Sequence, residues 1–85
     1  MPQPDTFDRY CVQGAADAQT LPRILNFFAQ RGVLPTKVIA TAQGSTLQVM
    51  VEVPVMGGSR ELIAEKIRQL VLVDEVKCFT QPVET

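Results

Sequence analysis

The 85-residue chain contains no histidine, which removes the usual general base at neutral pH and the commonest metal ligand. Only two cysteines are present, Cys11 and Cys78, which are too few for a disulfide scaffold and fit a reducing compartment. Ser45 and Ser59 have no histidine to activate them, and the acidic residues form no recognisable metal-binding or acid–base pair. We therefore expect a protein without a catalytic site, a metal site or a cofactor of its own.

The chain also lacks an excess of positive charge. Its eight lysine and arginine residues are scattered among nine acidic residues, and the formal net charge is −1. A nucleic-acid surface needs clustered cations to displace counterions from phosphates. We therefore expect no nucleic-acid partner.

No run of residues is apolar enough to span a bilayer, which takes about 20 such residues. The first residues, Met1–Asp5, have neither the basic start nor the apolar segment of a secretory signal. We expect a cytoplasmic protein with no membrane partner.

What the chain does have is enough apolar residues for a packed core. Hydrophobic residues make up 46% of it and charged residues 20%, which excludes the composition of a disordered protein. A domain of this size buries only about 60–65% of its unfolded surface, so pairing with another chain is a common remedy. We predict one domain over residues 1–85, with an ordered core at about 7–81, that forms a homodimer.

Hydrophobic periodicity predicts the order β-α-β-β-α-β. In the first helix, Leu21, Ile24, Leu25 and Phe28 follow the spacing of one helical face, and either Asp17 or Thr20 supplies the N-cap. The predicted strands are residues 7–13, 33–42 (extended after Pro35), 47–53 and 76–80, with a turn at Asp74-Glu75. The predicted apolar face of the second helix consists of Leu62, Ile63, Ile67, Leu70 and Val71.

This order predicts an α+β fold of the ferredoxin-like kind, a four-stranded antiparallel sheet with two helices on one face. In the third strand the apolar set Leu47, Val49, Val51 and Val53 is expected to meet the helices. The opposite face of the sheet then carries an apolar centre within a polar rim, which suits a protein–protein contact and the dimer interface. The residues of this predicted interface are Cys11, Ile39, Met50 and Phe79.

Two fragments near the first helix bear on ligand binding. Val12-Gln13-Gly14 resembles the start of the acylphosphatase phosphate loop, but that family has an arginine four residues past the glycine, where this chain has Ala18. The loop from Gly14 to Thr20 joins a strand to a helix N-terminus, where free N–H groups favour an anion such as a carboxylate. A plain tight loop is the alternative interpretation.

Thr20-Leu21-x-Arg23-Ile24-Leu25 and Gln30-Arg31-Gly32-Val33, with the Val76-Lys77-Cys78 ending, resemble the ACT domains. The closer likeness is to the short regulatory (small) subunits of acetolactate synthase, and it spans about residues 7–81. The resemblance implies an amino-acid site at an interface between two such domains. The positions that it implies are Gly14, Asp17, Ala18, Gln19, Thr20 and Leu21. Many ACT domains have a glycine where this chain has Gln19, so a side chain narrows the implied site.

The resemblance implies a regulatory subunit that activates or stabilises the acetolactate synthase catalytic subunit, with a branched-chain amino acid as a candidate effector. Thiamine diphosphate, FAD and magnesium then belong to that larger partner and not to this chain. A free-standing ACT-like amino-acid sensor with another target is the alternative, and a small enzyme of the acylphosphatase type is a remote third.

Overall fold

The computed structural model describes residues 6–55 and 59–82 of the chain. Six elements follow one another in the predicted order, which confirms the ferredoxin-like fold. They are β1 (Thr6–Ala15), α1 (Thr20–Gln30), β2 (Lys37–Gln43), β3 (Thr46–Pro54), α2 (Ser59–Arg68) and β4 (Val73–Pro82). The strands form one antiparallel sheet in the order β2-β3-β1-β4, so β1 and β3 are central and β2 and β4 are the edges.

The core lies between the helices and one face of the sheet. The alternation predicted for β3 is confirmed, because Val49, Val51 and Val53 are buried and Leu47 packs against the cluster that they form. In α1, Ile24 and Phe28 are fully buried. The remaining apolar residues of the core are Tyr10, Val12, Val33, Ile63, Ala64, Ile67, Val73 and Val76.

An aromatic pair fixes α1 on the central strand. The rings of Tyr10 and Phe28 meet edge to face, with centroids 5.0 Å apart and an angle of 80° between their planes. This arrangement sets the positive edge of one ring against the negative face of the other, which adds about 0.5–1.5 kcal/mol to the burial of the two side chains.

Helix α1 begins differently from either prediction. Its N-cap is Gln19, and no side chain caps it. Asp17 lies two residues before this N-cap, where its carboxylate accepts a hydrogen bond from the Gln19 N–H at 2.8 Å. Thr20 is already the first helical residue. The helix ends before Gly32, which directly follows the C-cap Arg31 and has φ +68°, the left-handed conformation in which glycine carries no steric cost.

Two predictions about α2 and β4 were wrong. Asp74 and Glu75 belong to β4, which begins at Val73, and the turn lies earlier, at residues 69–72. Val71 is in that turn and is 98% exposed, because α2 has already ended at Arg68. Leu62 is 44% exposed, since the buried face of α2 is formed by Ile63, Ala64 and Ile67.

The two helices have 11 and 10 residues. Within the part of the chain that the structure describes, neither reaches the length and apolarity that a membrane-crossing helix needs.

Candidate functional site

The loop between β1 and α1 is fixed by its own hydrogen bonds. The Thr20 hydroxyl, on a side chain that is 1% exposed, donates to the carbonyl oxygen of Ala15 at 2.8 Å. The Thr20 N–H donates to the carbonyl oxygen of Asp17 at 3.0 Å. These hydrogen bonds pair the Thr20 hydroxyl and N–H with carbonyl oxygens that the turn would otherwise leave unpaired. The loop is therefore held in one defined conformation.

Backbone contacts also hold this loop against two other segments. The Ala16 N–H donates to the carbonyl oxygen of Ser45 in the β2–β3 turn, at 3.0 Å, and the Ala15 N–H donates to that of Leu72 at 2.8 Å. At Gly14, a Cβ atom would lie 2.4 Å from the Leu72 carbonyl oxygen. The close approach of β1 to the turn after α2 therefore depends on the absence of a side chain at Gly14.

A cleft of about 540 Å³ opens between this loop and the turn after α2. Asp17, Gln19 and Arg23 line one side, and the turn formed by residues 69–72 lines the other. The Arg23 guanidinium donates two hydrogen bonds to Gln19 Oε1, at 3.0 Å from Nε and 2.7 Å from Nη2. The cleft thus combines a carboxylate, a guanidinium and amide groups with an apolar wall.

Two of the six predicted ligand-binding residues, Asp17 and Gln19, line this cleft. Of the other four, Gly14 is buried under Leu72, and Ala18 is exposed on the loop. The remaining two belong to the packing of α1: Thr20 is buried, and Leu21 packs against the core.

Sequence reasoning missed the other residues of the cleft. The sequence singles out Arg23 only within the ACT resemblance, and this residue enters the cleft because it lies one helical turn after Gln19. Nothing local in the sequence points to the turn at residues 69–72, since the hydrogen bond that brings it to the loop joins Ala15 and Leu72, which are 57 residues apart.

The predicted interface residues lie on the sheet face away from the helices. Ile39 is the register partner of Met50, and Met50 is that of Cys11, so these three side chains form a row across β2, β3 and β1. Phe79 lies in the adjacent row, opposite Arg9. Ile39 is 47% exposed and the other three predicted residues are half-buried. We call these four residues the open-face patch.

Polar rows flank the open-face patch. On one side Arg9 forms a 2.6 Å salt bridge with Glu52, and its guanidinium lies 5.4 Å from the centre of the Phe7 ring. On the other side a row of neutral side chains, Thr41, Gln48 and Gln13, crosses the sheet. A concavity of about 480 Å³ covers three residues of the patch, Cys11, Ile39 and Met50, together with this neutral row. An apolar centre with a polar rim is the usual anatomy of a protein–protein interface.

The outer edge strand β2 is a second exposed surface. All seven of its residues are exposed, including Val38 at 39%, and among the described residues it pairs with β3 alone. An edge strand of this kind offers unpaired main-chain groups to another strand.

A polar cluster lies on the helix side of the sheet, near the start of α2. Asp8 is 5% exposed and accepts a 2.7 Å hydrogen bond from the Thr80 hydroxyl. The Arg60 guanidinium donates to Thr80 Oγ1, while its Nη1 lies 3.9 Å from Asp8 Oδ1. Arg60 Nε is buried without a hydrogen-bond partner in the described part of the chain, 3.6 Å from Glu61 Oε2. The cluster anchors α2 to both β1 and β4.

Two further groups of this cluster stay protonated at neutral pH. Burial, with the nearby Asp8 carboxylate as the next cause, raises the pKa of the Tyr10 phenol, which donates a hydrogen bond to the Arg60 carbonyl oxygen at 3.2 Å. Burial, followed by the neighbouring Glu61 carboxylate, raises the pKa of the Cys78 thiol. A protonated thiol is a poor nucleophile, so the cluster is structural rather than reactive.

The geometry supports neither a redox pair formed by the two cysteines nor a phosphate-binding loop. Cys78 is the register partner of Tyr10, whereas Cys11 pairs with Lys77, so the two thiols lie on opposite faces of the sheet. Gln13 and Gly14 belong to β1, which continues to Ala15, and therefore do not form the phosphate loop that their sequence suggests. Among the described residues no group of three or more cysteine and acidic residues is placed to hold a metal ion.

Comparison with known proteins assigns the family. A family model described as an ACT-like domain matches residues 3–84. The match covers nearly the whole chain, which therefore belongs to the ACT-like domain family. ACT domains are regulatory, non-catalytic modules. No curated protein matches the chain in sequence.

Solved structures agree with this assignment at the level of the fold. The ACT domain of GTP pyrophosphokinase from Chlorobium tepidum superposes with a TM-score of 0.72 at 12% identity, covering 86% of this chain and 96% of that one. The C-terminal domain of the MgtC protein from Mycobacterium tuberculosis gives 0.74 at 8% identity, covering 96% and 94%. The regulatory subunit of aspartate kinase from Thermus thermophilus gives 0.65 at 15% identity, covering 94% of this chain and 52% of that subunit.

Proposed function

We propose that the chain is a regulatory subunit that binds and activates, or stabilises, the acetolactate synthase catalytic subunit in the cytoplasm. The observation that carries the proposal is the likeness of the α1 segments, Thr20–Leu25 and Gln30–Val33, to the small subunits of that enzyme, on a chain of the ACT-like family. Thiamine diphosphate, FAD and magnesium belong to the partner. This chain contributes binding energy that favours the active arrangement of the larger subunit.

The open-face patch is the surface proposed for protein contacts. Its row of Ile39, Met50 and Cys11 lies on the face opposite the helices, and no other element within residues 6–55 and 59–82 packs over it. Removal of apolar surface from water contributes about 25 cal/mol for each Å², and this gain opposes the freedom that the two partners lose on association. Two of the positive charges beside the patch are paired, Arg9 with Glu52 and Lys77 with Glu75 at 3.4 Å. Lys37 lies on the same face, in the row of Glu52, and within the described residues it has no carboxylate within 4.0 Å.

Reconstitution tests the function directly. The host's catalytic subunit is assayed for acetolactate formation with and without the purified chain. We expect stimulation that saturates as the chain is added. Absence of both stimulation and complex formation would remove acetolactate synthase as the target and leave the fold assignment unaffected.

We also propose that the chain forms a homodimer, through the open-face patch or through the exposed edge of β2. Met50→Asp places a charge in the centre of the patch and should weaken association through that face by about tenfold or more. Asn26→Asp is the matched control, because it adds the same charge at an exposed position of α1, away from the open face of the sheet. Sedimentation of both variants measures the effect; equal association would exclude the patch as the dimer interface and leave the β2 edge.

A free-standing amino-acid sensor is the second candidate function, and the cleft beside α1 favours it. Asp17 and Gln19, two positions that the ACT resemblance assigns to an amino-acid site, line a cleft with room for such a molecule. For either function, valine, leucine and isoleucine are the proposed effectors. Amino-acid binding by a chain that forms no complex with the synthase would favour the sensor.

A further inference from the structure

Helix α2 runs beside the edge strand β4 and reaches it with two arginines. The Arg60 guanidinium donates to Thr80 Oγ1, and Arg68 Nη2 donates to the carbonyl oxygen of Val76 at 3.2 Å. The two arginines are eight residues apart on the helix, a rise of about 12 Å, and their acceptors are four residues apart on the strand, about 13 Å. The matched spacing shows that α2 follows β4 from Thr80 to Val76.

The contact of Arg68 is with the backbone of an edge strand. The main-chain groups of an antiparallel strand point alternately to its two sides. Among the described residues β4 pairs with β1 alone, so only one of its sides is taken by another strand. A helix side chain can reach a carbonyl oxygen of β4 without displacing β1 only on the other side. We therefore place the Val76 carbonyl on the outer edge of β4.

Two features hold the Arg68 guanidinium at this edge. Its Nη1 donates to Glu65 Oε2 at 2.8 Å, one turn earlier on α2. Arg68 is also the last residue of α2, where the helix dipole favours a positive charge. The dipole favours Lys66 in the same way, yet within the described residues Arg68 is the residue of this turn that bonds to β4.

The opposite edge of the sheet has no comparable contact. All seven residues of β2 are exposed. Within residues 6–55 and 59–82, no side-chain hydrogen bond or salt bridge involves this strand. If both edges were open, β2 of one copy could pair with β4 of the next. Such a contact joins two different surfaces, so it can repeat from copy to copy as an open-ended chain.

We infer that Arg68 guards the edge of β4, so that a strand from another copy of this chain cannot add there. An added strand lies about 4.8 Å from its neighbour, and the guanidinium occupies that space beside the Val76 oxygen. The strand would also have to displace a charge-assisted hydrogen bond, which is about twice as strong as a neutral one. Pairing of copies through their edges is thereby limited to β2. The inference concerns self-assembly and does not depend on the target of the chain.

Sedimentation of two variants tests the role of Arg68. Arg68→Ala removes the guard, and Lys66→Ala is the matched control, because it removes the same charge from the last turn of α2. We expect Arg68→Ala to form species larger than a dimer that grow with concentration, with an association constant at least about tenfold above that of the wild type. Lys66→Ala should sediment like the wild type. Equal sedimentation of Arg68→Ala and the wild type, or growth of both variants alike, would overturn the inference.

A peptide probe tests the edge in the wild-type chain as well. A synthetic peptide with the β2 sequence, residues 37–43, is titrated into the ¹⁵N-labelled chain and followed by NMR. The amide signals of β4 should move in Arg68→Ala and stay unchanged in the wild type and in Lys66→Ala. Movement of the β4 signals in the wild type would overturn the inference, whether or not the variant folds. Unchanged β4 signals in a folded Arg68→Ala chain would overturn it too.

Discussion

Replacement of Gly14 by alanine would place a methyl group 2.4 Å from the carbonyl oxygen of Leu72 and 3.2 Å from the Cα atom of Val73. Both contacts are with backbone, so no side chain can rotate away, and β1 must separate from the turn. Overpacking of this kind costs about 1–3 kcal/mol. Loss of the adjacent hydrogen bond from Ala15 to Leu72 adds about 1 kcal/mol, while reduced freedom of the unfolded chain returns about 0.4–1 kcal/mol.

The expected net destabilisation of Gly14→Ala is therefore about 2–3 kcal/mol, which for a domain of this size lowers Tm by about 10 °C or more. Urea unfolding followed by circular dichroism measures it. Gly14→Asn should be worse still, because its side chain is larger.

Gly32 provides the contrast, since it has open space around it but φ +68°. There Gly32→Asn should be milder than Gly32→Ala, because asparagine tolerates the left-handed conformation. If Gly14→Ala were as stable as the wild type, or Gly14→Asn more stable than Gly14→Ala, the steric argument would be refuted.

Two further predictions concern buried polar groups. Thr20→Val removes a buried hydroxyl that donates to the Ala15 carbonyl oxygen, and it should lower the free energy of unfolding by about 1–2 kcal/mol. The control is Thr36→Val, at an exposed hydroxyl that donates to the Glu52 carbonyl oxygen, which should change the free energy of unfolding by less than about 0.5 kcal/mol. Equal effects of the two substitutions in denaturant titrations would contradict the role of burial. In the folded chain the pKa values of the Cys78 thiol and the Tyr10 phenol are raised above their ordinary values of 9.0 and 10.0. Both groups therefore lose their protons at a lower pH in the unfolded chain than in the folded one. The stability that these groups contribute is complete below about pH 9 and is lost as the pH rises further, so urea midpoints should fall between about pH 9 and 11. The fall should be less steep in Tyr10→Phe, and an unchanged slope in that variant would argue against a buried phenol.

The hydrophobic periodicity of a single segment was enough to predict which residues of β3 and α1 face the core. In β3 every second residue is apolar, and in α1 the residues three and four positions apart meet the core, so the face of each element follows from its own sequence. The placement of Cys11, Ile39 and Met50 on one face follows from the same alternation, once the strands are paired in register.

The errors arose where pairing between distant strands overrides local preference. Asp74 and Glu75 are typical turn residues, yet they lie in β4 because Glu75 pairs with Gln13 across the sheet. The register of β1 and β4 shifts between Gln13 and Gly14, where β1 also passes close to Leu72. A register shift of that kind depends on how the two strands pair, so it cannot be predicted from the sequence of either strand alone.

The cleft could be predicted only in part for the same reason. The ACT resemblance points to Gln19 as a side chain in the place of a glycine, and predicts that it narrows the site. In the structure this side chain is directed along the first turn of α1, where Arg23 holds it with two hydrogen bonds. Gln19 therefore orders the guanidinium as well as occupying space, and the remaining opening faces the turn at residues 69–72. The proposed amino-acid ligand would therefore contact side chains on that side, rather than the backbone that a glycine would expose.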